Sequence, residues 1–307
     1  MTDMTLDPEF AAILAAMAGT QAPSILTGDI AQMRGFLSAI SPQGGPEMAR
    51  IEDSQAGGVP VRGYWPTEAV RGRIVLFHGG GWVLGSVADY DHFARTLATQ
   101  TGCQVLSVDY RLAPEHPFPA AVEDAWSVIR SITDDGPLFV AGDSAGGNLS
   151  AVVAQLARDH GGPRIDGQIL IYPSVAGDAD SAGMRAFVPP MMSREEIAAY
   201  YDLYVPARAD REDLRFAPLS GLLENLPPAL VVVAGADLFT AEATLYANAL
   251  GETGVPVVVH HQPGVPHAYL TLFPGTQAAI RTMSVIGDFV AACIDAGPAV
   301  DAKGISK

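Results

Sequence analysis

Ser144 sits in Gly142-Asp143-Ser144-Ala145-Gly146, a G-x-S-x-G stretch between the apolar run LFVAG and the start of a helical pattern. A serine held in a strained strand-to-helix turn presents its hydroxyl outward, where it can attack an acyl carbonyl. Small neighbours let the backbone pass close to itself there, and the helix that follows points the positive end of its dipole at developing negative charge. In a chain this rich in glycine such a motif arises by chance in roughly one sequence in six, so the other groups that acyl chemistry requires must also be present.

The first requirement is a set of donors for the oxyanion of a tetrahedral intermediate. His78-Gly79-Gly80-Gly81-Trp82 follows the strand-like run RIVLF, and its three glycines allow backbone N–H groups to turn toward one point. The expected donors are Gly79 and Gly80, with Ala145 as the third, beside the nucleophile. The second requirement is a base, because a serine hydroxyl is a poor nucleophile until its proton is taken. Of seven histidines, His78 belongs to the glycine loop, His92 and His160 lie on helical patterns, and His116 sits among prolines. His260 and His261 fall inside a strand-like run, so their side chains point to opposite faces. His267, in the loop GVPHAY after that run, is the expected base. The third requirement is an acid that fixes the imidazole tautomer. Asp237 directly follows ALVVVAGA and gives the chain order Ser, Asp, His. Asp143 is expected to point away from the nucleophile in a supporting role, and Glu242, one helical turn past the acid, to cap the helix or face solvent.

These groups need a scaffold that brings strand ends together. From residue 73 onward, short β-branched runs near 73–78, 103–110, 138–142, 168–172, 229–235 and 255–261 alternate with helical patterns, as in a parallel sheet flanked by helices. The segment 49–65 alternates around Gly57-Gly58 and predicts an antiparallel hairpin opening the sheet. Residues 8–40 carry two further helical patterns and 178–216 a third, SREEIAAYYDLYV, outside this alternation. They predict a helical cap formed by residues 1–45 and 178–216 over a core of 46–177 and 217–307. Trp82, Tyr200, Tyr201, Tyr204, Met191 and Met192 are candidates to line a substrate pocket or to fill the cap interior. The last residues, DAKGISK, predict a loose tail.

Composition excludes several roles. Hydrophobic residues make up 49% of the 307 and charged ones 17%, which suits a large globular core. The net charge is −16, and lysine occurs only at Lys303 and Lys307, so no basic cluster exists to neutralise phosphates. Nucleic acid and anionic membrane surfaces are not expected partners. No uninterrupted apolar run approaches the ~20 residues that span a bilayer. The N-terminus lacks the pattern of a signal peptide, and a cytoplasmic location is expected. Cys103 and Cys293 lie in apolar runs and are expected as buried thiols.

Together with Asp109-Tyr110-Arg111-Leu112-Ala113-Pro114-Glu115, the motifs HGGGW and GDSAGG, the strand-Asp segment and the His loop resemble the hormone-sensitive-lipase family of bacterial carboxylesterases, across residues 73–290. The resemblance implies an α/β-hydrolase fold with a helical cap, hydrolysis of short- to medium-chain acyl esters, no cofactor or metal, and a homodimer. It also implies that Asp109, Arg111 and Glu115 support the oxyanion loop. The chain departs from the family around the acid, where Asp-Pro-Leu followed by Asp-Glu is replaced by Asp237-Leu238-Phe239-Thr240-Ala241-Glu242. The same triad could serve an amidase or deacetylase. The fold also hosts non-catalytic ligand receptors, a role against which His267 argues.

Overall fold

In the computed structural model, residues 5–19, 22–133, 136–186 and 188–297 are described. The predicted tail therefore lies outside the described residues, as does the beginning of the N-terminus. Eight strands form one sheet: β1 (Arg50–Ala56), β2 (Val59–Trp65), β3 (Arg73–Phe77), β4 (Gln104–Val108), β5 (Leu138–Asp143), β6 (Gly167–Ile171), β7 (Ala229–Ala236) and β8 (Val257–Pro266). Their order is β1-β2-β4-β3-β5-β6-β7-β8. β1 pairs antiparallel with β2, β2 antiparallel with β4, and all the rest are parallel. The hairpin closes at Gly57-Gly58, both at positive φ (58° and 83°), the conformation a two-residue turn of this hand requires.

The central strands are buried on both faces, which is why they read as continuous β-branched runs rather than alternating ones. Helices α4 (Ala120–Arg130), α5 (Ala145–His160) and α7 (Thr240–Glu252) cover one face. The other is covered by α3 (Asp91–Thr101) and α9 (Gln277–Ala296). α9 is long and apolar enough, by length and composition, to cross a membrane. Sequence inspection passed over it because Arg281, Asp288 and Asp295 interrupt the apolar residues. Its face from Ala278 through Met283, Ile286 and Val290 is buried beside α3 and the sheet, as in a core helix. Cys103 is buried and free, whereas Cys293 on α9 is half-buried, because α9 has one face to the outside.

Helix α1 (Pro8–Met17) docks on the end of β8: Phe10 packs edge-on against Tyr269 and Phe273, and Asp7 N–H donates to Gly264 O at 2.9 Å. Helices α2 (Ile30–Ile40) and α6 (Arg194–Tyr204) lie nearer the C-terminal ends of the strands. The predicted SREE pattern is a capping box on α6, with Ser193 and Glu196 satisfying each other's backbone N–H. Glu196 also accepts the Ser24 hydroxyl at 2.8 Å, which ties the N-terminal segment to α6.

Candidate active site

The turn after β5 brings Ser144 to φ +54° and ψ −116°, a conformation that costs about 1–3 kcal/mol and persists only where the surroundings enforce it. Here the enforcement is backbone to backbone: Ser144 N–H donates to Ile171 O at 2.9 Å, and a side chain at Gly146 would run into the Phe77 carbonyl. The Ser144 hydroxyl donates to His267 Nε2 across 3.0 Å, and His267 Nδ1 donates to Asp237 Oδ2 across 2.6 Å. The direction follows from chemistry, since a carboxylate only accepts and so places the imidazole proton on Nδ1. The structure thus brings Ser144, His267 and Asp237 into one hydrogen-bonded chain.

Each member has a local support. Asp237 is 1% exposed, and its Oδ1 accepts the Phe239 N–H at 3.2 Å. The family's proline and second aspartate are missing here, but the Thr240 hydroxyl closes the turn by donating to Asp237 O and Ala234 O, both at 2.6 Å. His267 lies between the rings of Tyr172 and Phe239, with centroids 4.9 and 5.3 Å away. Burial by itself pulls the imidazole pKa down, but the charge and hydrogen bond of Asp237, joined by the charge of Asp143, outweigh it and hold His267 above its ordinary value.

The glycine loop differs from expectation in one respect. Gly79 N–H donates to the Tyr90 hydroxyl at 2.9 Å and is therefore occupied. Gly80 and Gly81 line the cavity in front of Ser144, at φ +112° and +60°, conformations that favour glycine. A side chain would also meet the Leu84 carbonyl at the first and the Tyr200 ring at the second. Among the described residues the N–H groups of Gly80, Gly81 and Ala145 have no acceptor; that of Ala145 belongs to the first turn of α5, where no intrahelical partner exists. The geometry accordingly leaves Gly80 and Gly81 at the cavity, with Ala145 beside the serine, as the candidate donors, and removes Gly79 from the expected pair.

Two tyrosines that sequence reasoning missed hold this loop. The Tyr110 hydroxyl donates to His78 O at 2.7 Å and its ring stacks on the buried His78 imidazole, with centroids 4.2 Å apart. His78 Nδ1 in turn donates to Gly79 O at 2.8 Å. Burial lowers the His78 pKa, and a neutral ring suits this position. Tyr90 accepts from Gly79 and donates to Asp143 Oδ2 at 3.1 Å. Asp143 is a buried carboxylate beside the cavity, with Oδ2 held by Tyr90 and Oδ1 shut off from the open space, and burial pushes its pKa up to about 6. Tyrosine is common in apolar runs, so only the tertiary contact distinguishes these two. Tyr90→Phe is expected to release the Gly79 N–H and lower kcat on an ester by roughly tenfold to a hundredfold, less than the loss of a true oxyanion donor, with KM little changed. Steady-state kinetics beside the wild type check this, and kcat within twofold would rule out a positioning role.

The residues expected to support the loop divide. Asp109 is exposed. Arg111 is locked onto Asp124 by a two-pronged pair, with contacts of 2.8–3.0 Å. Glu115 pairs with both terminal nitrogens of Arg34 at 2.8 Å, and that guanidinium holds its carboxyl down at a pKa of about 2. Arg34 then donates to Val83 O and Ala113 O, each at 2.9 Å, which links α2 to the segment after the glycine loop.

A cavity of about 270 Å³ opens onto Ser144 and His267. Trp82 and Tyr200 line it, as do Tyr201, Met191 and Met192. Tyr204 does not: it is wholly buried and stacks on Trp82, centroids 4.6 Å apart, because its position on α6 turns it inward against Phe118 and Phe216. Glu242 likewise departs from expectation. It is 4% exposed and accepts the Val175 and Ala176 N–H groups at 2.6 and 3.4 Å, and burial pushes its pKa up to about 8. It braces the loop after β6, whose Ser174 also lines the cavity.

A serine, histidine and aspartate at the C-terminal ends of β5, β8 and β7 of a mostly parallel sheet define a serine hydrolase of the α/β-hydrolase fold. A family model described as alpha/beta hydrolase fold matches residues 74–271. The carboxylesterase NlhH of Mycobacterium tuberculosis is 39% identical, over 73% of this chain and 76% of its own. The esterase LipI of the same organism is also 39% identical over the same shares. Among solved structures, a hyperthermophilic esterase from the archaeon Pyrobaculum calidifontis superposes with a TM-score of 0.84 at 33% identity, covering 95% of this chain and all of the other. An ester hydrolase from the Lake Arreo metagenome gives 0.86 at 32%, covering 94% and 99%. The chain belongs to the hormone-sensitive-lipase family of α/β hydrolases, and it is a serine carboxylesterase.

Proposed function

We propose that the chain hydrolyses small-molecule carboxylic esters with short- to medium-length acyl groups, using Ser144 as nucleophile, His267 as base and Asp237 as the acid that orients it. The carrying observation is the unbroken hydrogen-bonded chain from Ser144 through His267 to Asp237 at the floor of an apolar cavity. His267 takes the hydroxyl proton as Ser144 Oγ bonds to the ester carbon, and the carbonyl oxygen becomes an oxyanion facing Gly80, Gly81 and Ala145. As the tetrahedral intermediate collapses, the C–O bond to the alcohol breaks and His267 returns the proton to the leaving oxygen. Water, deprotonated by His267, then attacks the acyl-enzyme and frees Ser144.

Both 1–45 and 178–216 supply residues to the cavity, Leu37 from the first and Met192 and Tyr200 from the second, which supports reading them as one cap. The cavity's limited volume supports a bound on acyl length. The exposed edge strand β8, with Val258 and Val259 46% and 49% exposed, supports the homodimer that the resemblance implies. The test is steady-state release of p-nitrophenol from acetate, butyrate, octanoate and palmitate esters. Turnover should be highest on the shorter pair and lost on palmitate. A rate that rises through palmitate would overturn the acyl-length reading.

A further inference from the structure

Three carboxylates border the cavity, and they are not equivalent. Glu196 has both oxygens engaged, one by Ser24 and the other by Ser193. Asp143 receives the Tyr90 hydroxyl on Oδ2, and its Oδ1, though unbonded, is buried out of reach of the cavity. Asp89 is half-buried and only one of its oxygens, Oδ2, is bonded, to the Ser86 hydroxyl at 2.8 Å. No ion pair reaches Asp89 among the described residues. No arginine or lysine lines the cavity either. Of the six arginines in residues 1–45 and 178–216, five pair elsewhere, Arg34 with Glu115, Arg185 and Arg194 with Asp180, Arg211 with Asp202 and Arg215 with Asp213, and the sixth, Arg208, does not line the cavity.

We infer that Asp89 is a specificity-determining residue, giving the cavity a preference for esters that carry an ammonium group over neutral esters, and for neutral esters over those that carry an anion. The inference rests on the ester-hydrolase reading of Ser144 and adds the charge class of the substrate. A carboxylate at the edge of a mostly apolar cavity keeps part of its field, and an otherwise unpaired oxygen can take a hydrogen bond from a cation without giving one up. Among the described residues, no arginine or lysine on the cavity wall compensates an anionic substrate. A unit charge about 8 Å from another, at an effective dielectric near 20, changes an equilibrium by roughly thirtyfold, and salt reduces that, so a preference of about tenfold is expected at low ionic strength.

The experiment compares kcat/KM of the full-length protein on butyrylcholine, on its carbon isostere in which a tert-butyl group replaces trimethylammonium, and on the sulfonate counterpart. Each result is read as a ratio to the neutral ester, so that any common loss in a variant cancels. The wild type should favour the choline ester about tenfold and disfavour the sulfonate by a similar factor, with both ratios moving toward one as salt is added. In Asp89→Asn the ratios should fall close to one at all salt concentrations. Asp89→Ser is a second variant that removes the charge with a smaller side chain, and the salt titration of the wild type needs no variant. Ratios near one in the wild type, or ratios that survive both substitutions, would overturn the role of Asp89. Failure to hydrolyse even the neutral ester would instead overturn the ester-hydrolase reading on which it rests.

Discussion

Ser144→Ala should abolish ester turnover, with kcat lower by about six decades while a non-hydrolysable ester analogue still binds. The reasoning is that alanine removes the only atom able to form the acyl-enzyme and leaves the cavity, the oxyanion donors and the His267–Asp237 pair in place. The folded state should tolerate the change, because the backbone bond from Ser144 N–H to Ile171 O does not involve the side chain. Single-turnover kinetics with p-nitrophenyl butyrate, read beside thermal denaturation, separate loss of chemistry from loss of fold. A variant that keeps even a hundredth of wild-type kcat would dismiss Ser144 as the nucleophile and point to direct attack by water.

Asp237→Asn should lower kcat by about four decades, because an amide next to Nδ1 can donate and so admits the wrong imidazole tautomer. Its effect on pH dependence is the more discriminating readout. His267 works as a base only when neutral, so kcat/KM must fall as the pH drops through its pKa. In the wild type Asp237 holds that pKa above the ordinary 6.5, and the acid limb should lie on the high side of it. Stabilising the imidazolium is what raises the pKa, so removing the charge must shift the limb to lower pH. Asp143→Asn should move the limb in the same direction but less, since its charge is the smaller of the two raising influences. A limb that stays in place in Asp237→Asn would contradict the assignment of Asp237 as the partner of His267.

Much of this architecture is written in local pattern. The β-branched runs locate β3 to β7 within a residue or two, because strands buried on both faces demand them regardless of partners, whereas the half-exposed β8 continues to Pro266, five residues past its run. Ser144, Asp237 and His267 each follow a strand-like run, and that placement alone puts them at one edge of a parallel sheet. Other features depend on contacts distant in sequence. Which two of three adjacent glycines face the cavity is decided by Tyr90, whose hydroxyl captures the Gly79 N–H. Glu242 looks like an ordinary charge in the first turn of a helix. Its buried carboxylate accepts the Val175 and Ala176 N–H groups, which come from the loop after the neighbouring strand β6 and which no pattern around residue 242 reveals. Tyr200 and Tyr204 occur one helical turn apart, yet one lines the cavity and the other is buried against Trp82, Phe118 and Phe216, a distinction set by how α6 packs.

The close approach of Gly146 to the Phe77 carbonyl bears on how this enzyme can be altered. At Gly146 the nucleophile turn and the end of β3 meet through main-chain atoms, with no side chain at that contact that could be exchanged to adjust their spacing. The spacing at that contact is therefore fixed by the backbone, and the adjustable link between loop and turn is the Tyr90 hydroxyl, which joins Gly79 to Asp143. Freedom to reshape selectivity resides instead in Leu37, Met191, Met192 and Tyr200, side chains brought to the cavity by segments that contribute nothing to the triad. In that division of labour, a library confined to the cap would explore new esters, whereas one spread over the glycine loop and the elbow would mostly sample inactive protein.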